Sequence, residues 1–545
     1  MELIKELAGE HEDSEYGHDI AALDFNGDGI DDLVVGSWKW DPIYPTPPHN
    51  AIGKLYFYMG KEQNFADSVD LTISGSRDSL TWRRSLGSWI ESLGDMNNDG
   101  FEDLGFADVT KNDAGDFLMN ANILYGGNPC DTIPDHIFSV IYPDYNSNVG
   151  TYLQRLGDIN NDGYDDAGIL LGPCIGGVGG VVPHKAYLIY GNQYELFYLG
   201  TYGYLGGSYG WANIMGIGDV NVDGYDDFII GYGVNEDATF YNLLFFGGTE
   251  IDSIPDIVIN DHIAIPYLNT AGGIACGDWN GDGNDDFIGN CCSDASQGLG
   301  LWFGSDPLVL SPQMFVEYYS CLAGFRQYDF GDLNNDGCDD IVAGLHWYQG
   351  NDGRAYIYLG GQNGTCDLHL EAPYICGGMG WATAIGDFNN DGCDDIALGS
   401  PWENWSVSHL YDDKGMVFVF AGNEDLEEAN PPAIDEIPQQ YETHYMDAYP
   451  NPFTNSTILQ FNKTTRLLRQ LADTPWQANS HELTQIKIYN IKGQLVREFG
   501  MQIAECGFSA VWDGKDGSGN DVKSGVYFYK INNNDEHIGK VVKLR

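Results

Sequence analysis

Between Ile385 and Ser400 the chain reads IGDFNNDGCDDIALGS. Six of the nine residues from Asp387 to Asp395 carry a side-chain oxygen, and four of the six are aspartates. Like charges this close repel one another unless a cation sits among them. The same pattern, D-x-N-x-D-G-x-[DE]-D, occurs seven times, starting at Asp24, Asp95, Asp158, Asp219, Asp278, Asp332 and Asp387. In each copy the oxygens of positions 1, 3 and 5 can converge on one point. Glycine at position 6 permits the sharp turn, position 7 can turn its carbonyl inward, and Asp at position 9 closes the shell. About six hard oxygens suit Ca²⁺ better than the smaller, stricter Mg²⁺.

The expected ligands are therefore Asp24, Asn26, Asp28, Ile30 (carbonyl) and Asp32 in the first copy. They are Asp95, Asn97, Asp99, Phe101 and Asp103 in the second, and Asp158, Asn160, Asp162, Tyr164 and Asp166 in the third. The fourth offers Asp219, Asn221, Asp223, Tyr225 and Asp227; the fifth Asp278, Asn280, Asp282, Asn284 and Asp286. The last two offer Asp332, Asn334, Asp336, Cys338 and Asp340, then Asp387, Asn389, Asp391, Cys393 and Asp395. Up to seven Ca²⁺ with a structural role are expected. An EF-hand is excluded, because position 12 would have to be a bidentate Glu and is Val35, Phe106, Ile169, Ile230, Gly289, Ala343 or Leu398.

The elements that must hold these loops repeat with them. The copies are spaced 71, 63, 61, 59, 54 and 55 residues apart, which marks an array of supersecondary units. A β-prone run precedes each loop (WIESLGD, WATAIGD) and another follows it (DLVVG, DIALG). An aromatic-rich run ending in Gly comes next (GKLYFYMG, KAYLIYG, GMVFVFAG), then a fourth run such as DLTISGS or DIVIND. Four antiparallel strands per unit, seven times over, predict an all-β chain built as a seven-bladed β-propeller. The seventh unit ends at Gly422 without a fourth run, whereas ELIKELAG precedes the first unit and resembles the fourth-strand segments. The chain start is expected to complete blade 7 and remove an open sheet edge.

YGHDIAALDFNGDGIDDLVVGS and MGWATAIGDFNNDGCDDIALGSP closely resemble FG-GAP repeats, the blades of integrin alpha-subunit propellers, although Gly-Ser-Pro or Gly-Ser-Trp stands in place of Gly-Ala-Pro. The resemblance covers about residues 1–423 and implies Ca²⁺ in the loop between the first two strands of a blade. Residues 424–442, acidic and Pro-containing, read as a linker. From 443 to 545 a series of short strands with turn signals suggests an Ig-like β-sandwich. Its motifs YPNPF, IYNIKGQ, WDGKD and SGVYFYK resemble, in order, the C-terminal sorting domain of the bacterial type IX secretion system. NKTTRLLRQLADTPWQANSHEL is longer than the usual link between the first two strands of that domain. The resemblance implies export through the type IX machinery of a Gram-negative-type bacterium, to the outer surface or the medium. Such cargo first crosses the inner membrane, and MELIKELAGE lacks the basic and apolar regions of a signal peptide, so the true start is expected upstream.

Composition narrows the partners. The formal net charge is −56, and seven Ca²⁺ would leave it near −42. Nucleic acid requires a basic surface and is excluded as a partner. Eleven cysteines show no metal-type spacing, and no apolar run is long enough for a membrane-spanning helix. No catalytic residue is expected. GGSYG places Ser208 in a G-x-S-x-G frame, but in a Gly/Tyr-rich link and not in the strand–turn–helix that a nucleophile elbow needs. The loops after the second strands of blades 1, 6 and 7 instead carry Trp38, Trp40, Tyr44, Trp347, Tyr348, Trp402 and Trp405. On the face opposite the acidic loops, such rings suit a sugar face or a protein hot spot. The expected function is a secreted, calcium-loaded adhesion or recognition module for glycan or protein. The alternative is an enzyme or scaffold of a secreted polysaccharide-degrading system with a dispersed site on that face.

Overall fold

The structure is a computed structural model. It describes all residues except 43–50, 63–64, 66–67, 76–85, 115–116, 143–148, 174–183, 203–211, 235–238, 261–267, 294–295, 310–311, 317–327, 347–352, 362–365, 372–377, 403–413, 427–445, 450–456, 463–484, 491, 493, 501, 505–506, 532–538 and 544–545. Every element among the described residues is a strand, and none of them is a helix long and apolar enough to cross a membrane. Met1–Cys292 with Gln297–Glu436 form one compact unit, and Ile437–Arg545 belong to a second.

The first unit holds seven four-stranded antiparallel sheets. Their first strands are Tyr16–Leu23, Ile90–Ser92, Val149–Gly157, Ala212–Gly218, Leu268–Gly277, Tyr328–Gly331 and Ala382–Gly386. Each leads through an acidic loop into a second strand: Asp32–Ser37, Leu104–Lys111, Asp166–Pro173, Asp227–Val234, Asp286–Ser293, Asp340–Gly344 and Asp395–Ser400. Third and fourth strands follow outward, as in Lys54–Tyr58 and Leu71–Ser74 of the first sheet. In the last sheet the outer position belongs to Glu2–Ala8, which pairs antiparallel with Met416–Ala421 from Glu2↔Ala421 to Ala8↔Met416. Successive first strands pack side by side, and Ala382–Gly386 packs against Tyr16–Leu23, so the row closes on itself as in a β-propeller.

The core explains the composition of the strands. The middle strands are buried on both faces, so they read as apolar and aromatic runs and not as alternating ones. Their side chains meet between sheets. Tyr16, Val35 and Tyr58 of the first sheet share one cluster with Ala384, Val417 and Val419 of the last, and with Leu7 of the N-terminal strand. Phe228 and Phe245 stack at 4.9 Å, as do Phe287 and Trp302 in the next sheet. Glycines mark where backbones touch. A Cβ on Gly36 would lie 2.3 Å from the Gly87 carbonyl oxygen, and one on Gly344 2.3 Å from that of Gly380. Pairs of this kind join the end of one second strand to the start of the next first strand.

The second unit contains two four-stranded sheets. One orders Met446–Tyr449, Thr457–Asn462, Gly507–Trp512 and Gln502–Ala504; the other orders Leu495–Gly500, Gln485–Asn490, Gly525–Ile531 and Gly539–Lys543. Trp512 is fully buried, stands edge-on to Tyr527 at 5.1 Å and donates its Nε1–H to the Lys515 carbonyl. Lys543 of the last strand donates to the Gly514 carbonyl, so the WDGKD loop and the C-terminal strand hold each other.

Candidate functional site: seven acidic loops and an aromatic face

The seven acidic loops share one hydrogen-bond scheme. The position-1 carboxylate accepts the N–H groups of positions 5 and 6: Asp24 takes Asp28 at 3.1 Å and Gly29 at 2.9 Å, and Asp387 takes Asp391 at 3.1 Å and Gly392 at 3.0 Å. The position-5 carboxylate accepts the N–H of position 7, as Asp28 does from Ile30 and Asp391 from Cys393. The position-6 glycines sit at φ between 83° and 91°, which suits a residue without Cβ. Position 4 is left-handed as well. Gly or Asn occupies it in six loops, and the fourth places Val222 at φ 60°.

Position 9 is fully buried in all seven loops. Its Oδ1 accepts the N–H of a glycine one or two residues past the third strand: Asp32 from Gly60, Asp103 from Gly126, Asp166 from Gly191, Asp227 from Gly247, Asp286 from Gly304, Asp340 from Gly360 and Asp395 from Gly422. Burial, with the nearby position-1 and position-5 carboxylates adding to it, pushes Asp32, Asp103, Asp166, Asp227 and Asp395 up to about 8 and Asp286 and Asp340 up to about 7.

The donor set fits a hard cation. Asp166 Oδ2, Asp227 Oδ2, Asp286 Oδ2, Asn160 Oδ1 and Asn221 Oδ1 are buried with no partner in hydrogen-bond geometry. All five are oxygens at ligand positions 3 and 9, and a buried acceptor left unmatched is costly unless something positive meets it. Elsewhere the scheme relaxes differently. Asn26 and Asn389 turn their amides onto Asp32 and Asp395, and Met96 and Leu333 donate to Asp103 Oδ2 and Asp340 Oδ2. Among the described residues no three His, Cys, Asp or Glu side chains stand together closely enough to hold an ion by themselves. Asn and carbonyl oxygens would have to complete any shell.

The position-8 carboxylates, which the ligand pattern leaves idle, point to the neighbouring blade. Each accepts the N–H of the preceding blade's position-1 aspartate: Glu102 from Asp24 at 3.1 Å, Asp165 from Asp95 at 2.8 Å, Asp226 from Asp158 at 2.7 Å and Asp285 from Asp219 at 2.9 Å. Asp339 accepts from Asp278 at 2.8 Å and Asp394 from Asp332 at 2.9 Å; Asp31 accepts from Asp387 at 2.9 Å and so joins the last loop to the first. Inside this circle lies a cavity of about 560 Å³ bordered by all seven first strands. Carboxylates such as Glu91, Glu102, Asp226 and Asp329 border it together with Arg155, which pairs with Asp165 at 3.2 Å.

The opposite face carries the start of each first strand and the end of each second strand. There Trp38, His18, Trp381, Trp402 and His346 form a continuous cluster over blades 1, 7 and 6. The closest pair, Trp381 and Trp402, is 4.3 Å apart and edge-on. Trp38 is tethered through Nε1 to Glu15, which also pairs with Lys39. Trp40 departs from the expected open ring: it is 8% exposed, bonded to Glu10 and covered by Lys54 at 4.7 Å. Tyr44, Trp347, Tyr348, Trp405 and Ser208 lie outside the described residues. The sequence signal misses His18 and Trp381 because they lie in or beside first strands, whereas His346 stands next to Trp347 in one of the aromatic loops and is passed over for its neighbour. Burial holds His346 down to about 4, neutral at physiological pH.

An FG-GAP repeat matches residues 379–420, an FG-GAP-like repeat 332–398, and a secretion system C-terminal sorting domain 447–544. Integrin alpha-4 of Xenopus laevis is 28% identical over 172 residues, 31% of this chain and 15% of its own length. Integrin alpha-7 of Mus musculus is 33% identical over 118 residues, 22% of this chain and 9% of its own. The matched segments thus span a small fraction of these relatives. A structure of PorZ, an essential bacterial surface component of the type-IX secretion system of Porphyromonas gingivalis, covers 94% of this chain and 58% of its own at 12% identity and a TM-score of 0.31. The chain therefore carries FG-GAP repeats similar to those of integrin alpha subunits, and a sorting domain that marks it for export to the cell surface or beyond.

Proposed function

We propose that this is a non-catalytic recognition module of the cell surface, with Ca²⁺ in its acidic loops and a glycan or protein ligand on the opposite face. The type IX export machinery would read residues 447–544. The observation that carries the recognition reading is the cluster of Trp38, His18, Trp381, Trp402 and His346, which assembles rings from three blades on one face. The half-buried Trp38, Trp381 and Trp402 with His18 beside them would give a sugar ring or a protein anchor both apolar contact and a hydrogen-bonding group, while the buried His346 packs against Trp381 and Trp402. Calcium is structural in this reading: each ion would be held by the oxygens of positions 1, 3, 5, 7 and 9 and would tie the first strand of a blade to its second.

The test is binding of the full chain to a broad glycan panel in millimolar Ca²⁺, with Trp402→Ala beside it. Specific binding that the variant loses by tenfold or more, as expected for a buried aromatic anchor, supports a lectin-like face. Binding that Trp402→Ala leaves intact moves the ligand away from this cluster.

A further inference from the structure

We propose that the position-8 carboxylates are positioning residues that couple each calcium loop to the next, so that an ion in one loop raises the affinity of its neighbour around a closed circle. The inference rests on the calcium reading above.

Residue 8 is next in sequence to the ligand at position 9 of its own loop, and it grips the backbone of the ligand at position 1 of the preceding loop. The grip is two-way. Glu102 N–H donates back to the Asp24 carbonyl at 3.2 Å, Asp165 to Asp95 at 3.2 Å, and Asp31 to Asp387 at 3.3 Å. A third bond ties the same blades, from just after the third strand of one to the acidic loop of the other: Gly127 N–H donates to the Phe25 carbonyl at 2.9 Å and Lys61 N–H to that of Phe388 at 3.2 Å. Ordering position 9 around an ion therefore orders position 1 of the neighbour, and by linkage the reverse holds equally.

The residue before position 1 shows that the junction is built for this contact. It is Gly in six loops, and a Cβ there would lie where the neighbour's carboxylate sits: 2.1 Å from Asp165 Oδ2 at Gly94, 2.0 Å from Asp226 Oδ2 at Gly157 and 2.6 Å from Asp31 Oδ2 at Gly386. The first loop has Leu23 instead, and its partner is Glu102, the one Glu at position 8, whose extra methylene carries the carboxylate to the same N–H. The lost glycine and the lengthened acid occur at the same junction.

The experiment titrates the full chain with Ca²⁺ and follows hydrogen exchange of residues 387–395 at subsaturating Ca²⁺, in wild type, Asp31→Ala, Asp31→Asn and Gly386→Ala. No variant alters a ligand of that loop. Asp31→Ala and Gly386→Ala should weaken Ca²⁺ binding in that loop about fivefold to tenfold, the worth of one hydrogen bond, with faster exchange. Asp31→Asn, which keeps an acceptor oxygen, should stay within about twofold. Unchanged binding in Asp31→Ala and Gly386→Ala, or equal loss in Asp31→Asn, overturns the coupling while leaving the calcium reading standing. A wild-type chain that takes up no Ca²⁺ overturns the calcium reading itself. Should Asp31→Ala not fold, Glu102→Ala read on residues 24–32 makes the same test away from the chain ends.

Discussion

At the scale of single residues, the buried position-9 aspartates set the response to pH. Their folded values of about 7 to 8 lie above the ordinary carboxylate value, so without Ca²⁺ the folded chain holds protons that the unfolded chain has lost. These groups therefore favour the metal-free fold fully below about pH 4, and their contribution is lost as pH rises towards 8. Under the calcium reading, Ca²⁺ would need these groups ionised, and its binding would release their protons. In chelator the melting temperature should therefore fall between pH 5 and pH 8, and in millimolar Ca²⁺ the fall should disappear. A melting temperature independent of pH in chelator would refute this. Val222 gives a second prediction. A β-branched side chain at φ 60° is strained by about 1 kcal/mol or more, so Val222→Asn should raise the melting temperature by a few degrees in thermal unfolding.

At the scale of elements, the sheets are joined where backbones come within van der Waals reach. Gly53, at φ 76°, forms a parallel bridge to Leu86, and a Cβ there would lie 1.9 Å from the Leu86 carbonyl oxygen. Gly353 and Met379 repeat the contact between the sixth and seventh sheets. Gly53→Ala should cost about 3 kcal/mol, since both the backbone angle and rigid backbone atoms oppose the methyl group. Denaturant unfolding checks this, and a loss under about 1 kcal/mol would show that the junction adapts. The loops belong to this scale too. Each binds its own backbone through positions 1 and 5, the third strand through position 9 and the next blade through position 8.

At the scale of the molecule, ring closure and charge act together. The last sheet obtains its outer strand from Glu2–Ala8, and the cluster beneath it mixes residues from both ends of the propeller unit. Deleting residues 1–9 removes that strand and uncovers Met416–Ala421 as an edge, so the shortened chain should melt at least 10 °C lower and self-associate. Light scattering and calorimetry read both effects, and an unchanged monomer would refute the role given to the strand. The net charge of −56 makes the folded state sensitive to counter-ions. Removing Ca²⁺ should lower stability by about 2.7 kcal/mol for each site that had been held at a hundredfold excess over its dissociation constant. Recovery with Ca²⁺ but not with Mg²⁺ would show that the loops select for size.

Whatever is local or repeated in this chain is legible from its residues alone. The all-β class, the seven loops with oxygens at positions 1, 3, 5 and 9, and the sorting motifs from YPNPF to SGVYFYK are all written in short, contiguous stretches, because a tight turn and a strand are specified by their own residues. What depends on neighbours distant in the chain emerges only once the sheets pack together. Only the packed ring shows that position 8 works for the preceding blade, that Glu102 answers Leu23, and that Asp31 meets Asp387 across 356 positions. Only packing separates Trp40, buried under Lys54, from Trp38 and Trp402, which join His18, Trp381 and His346. Aromatic residues in one loop look alike in sequence, and what covers each of them is set by side chains from other blades.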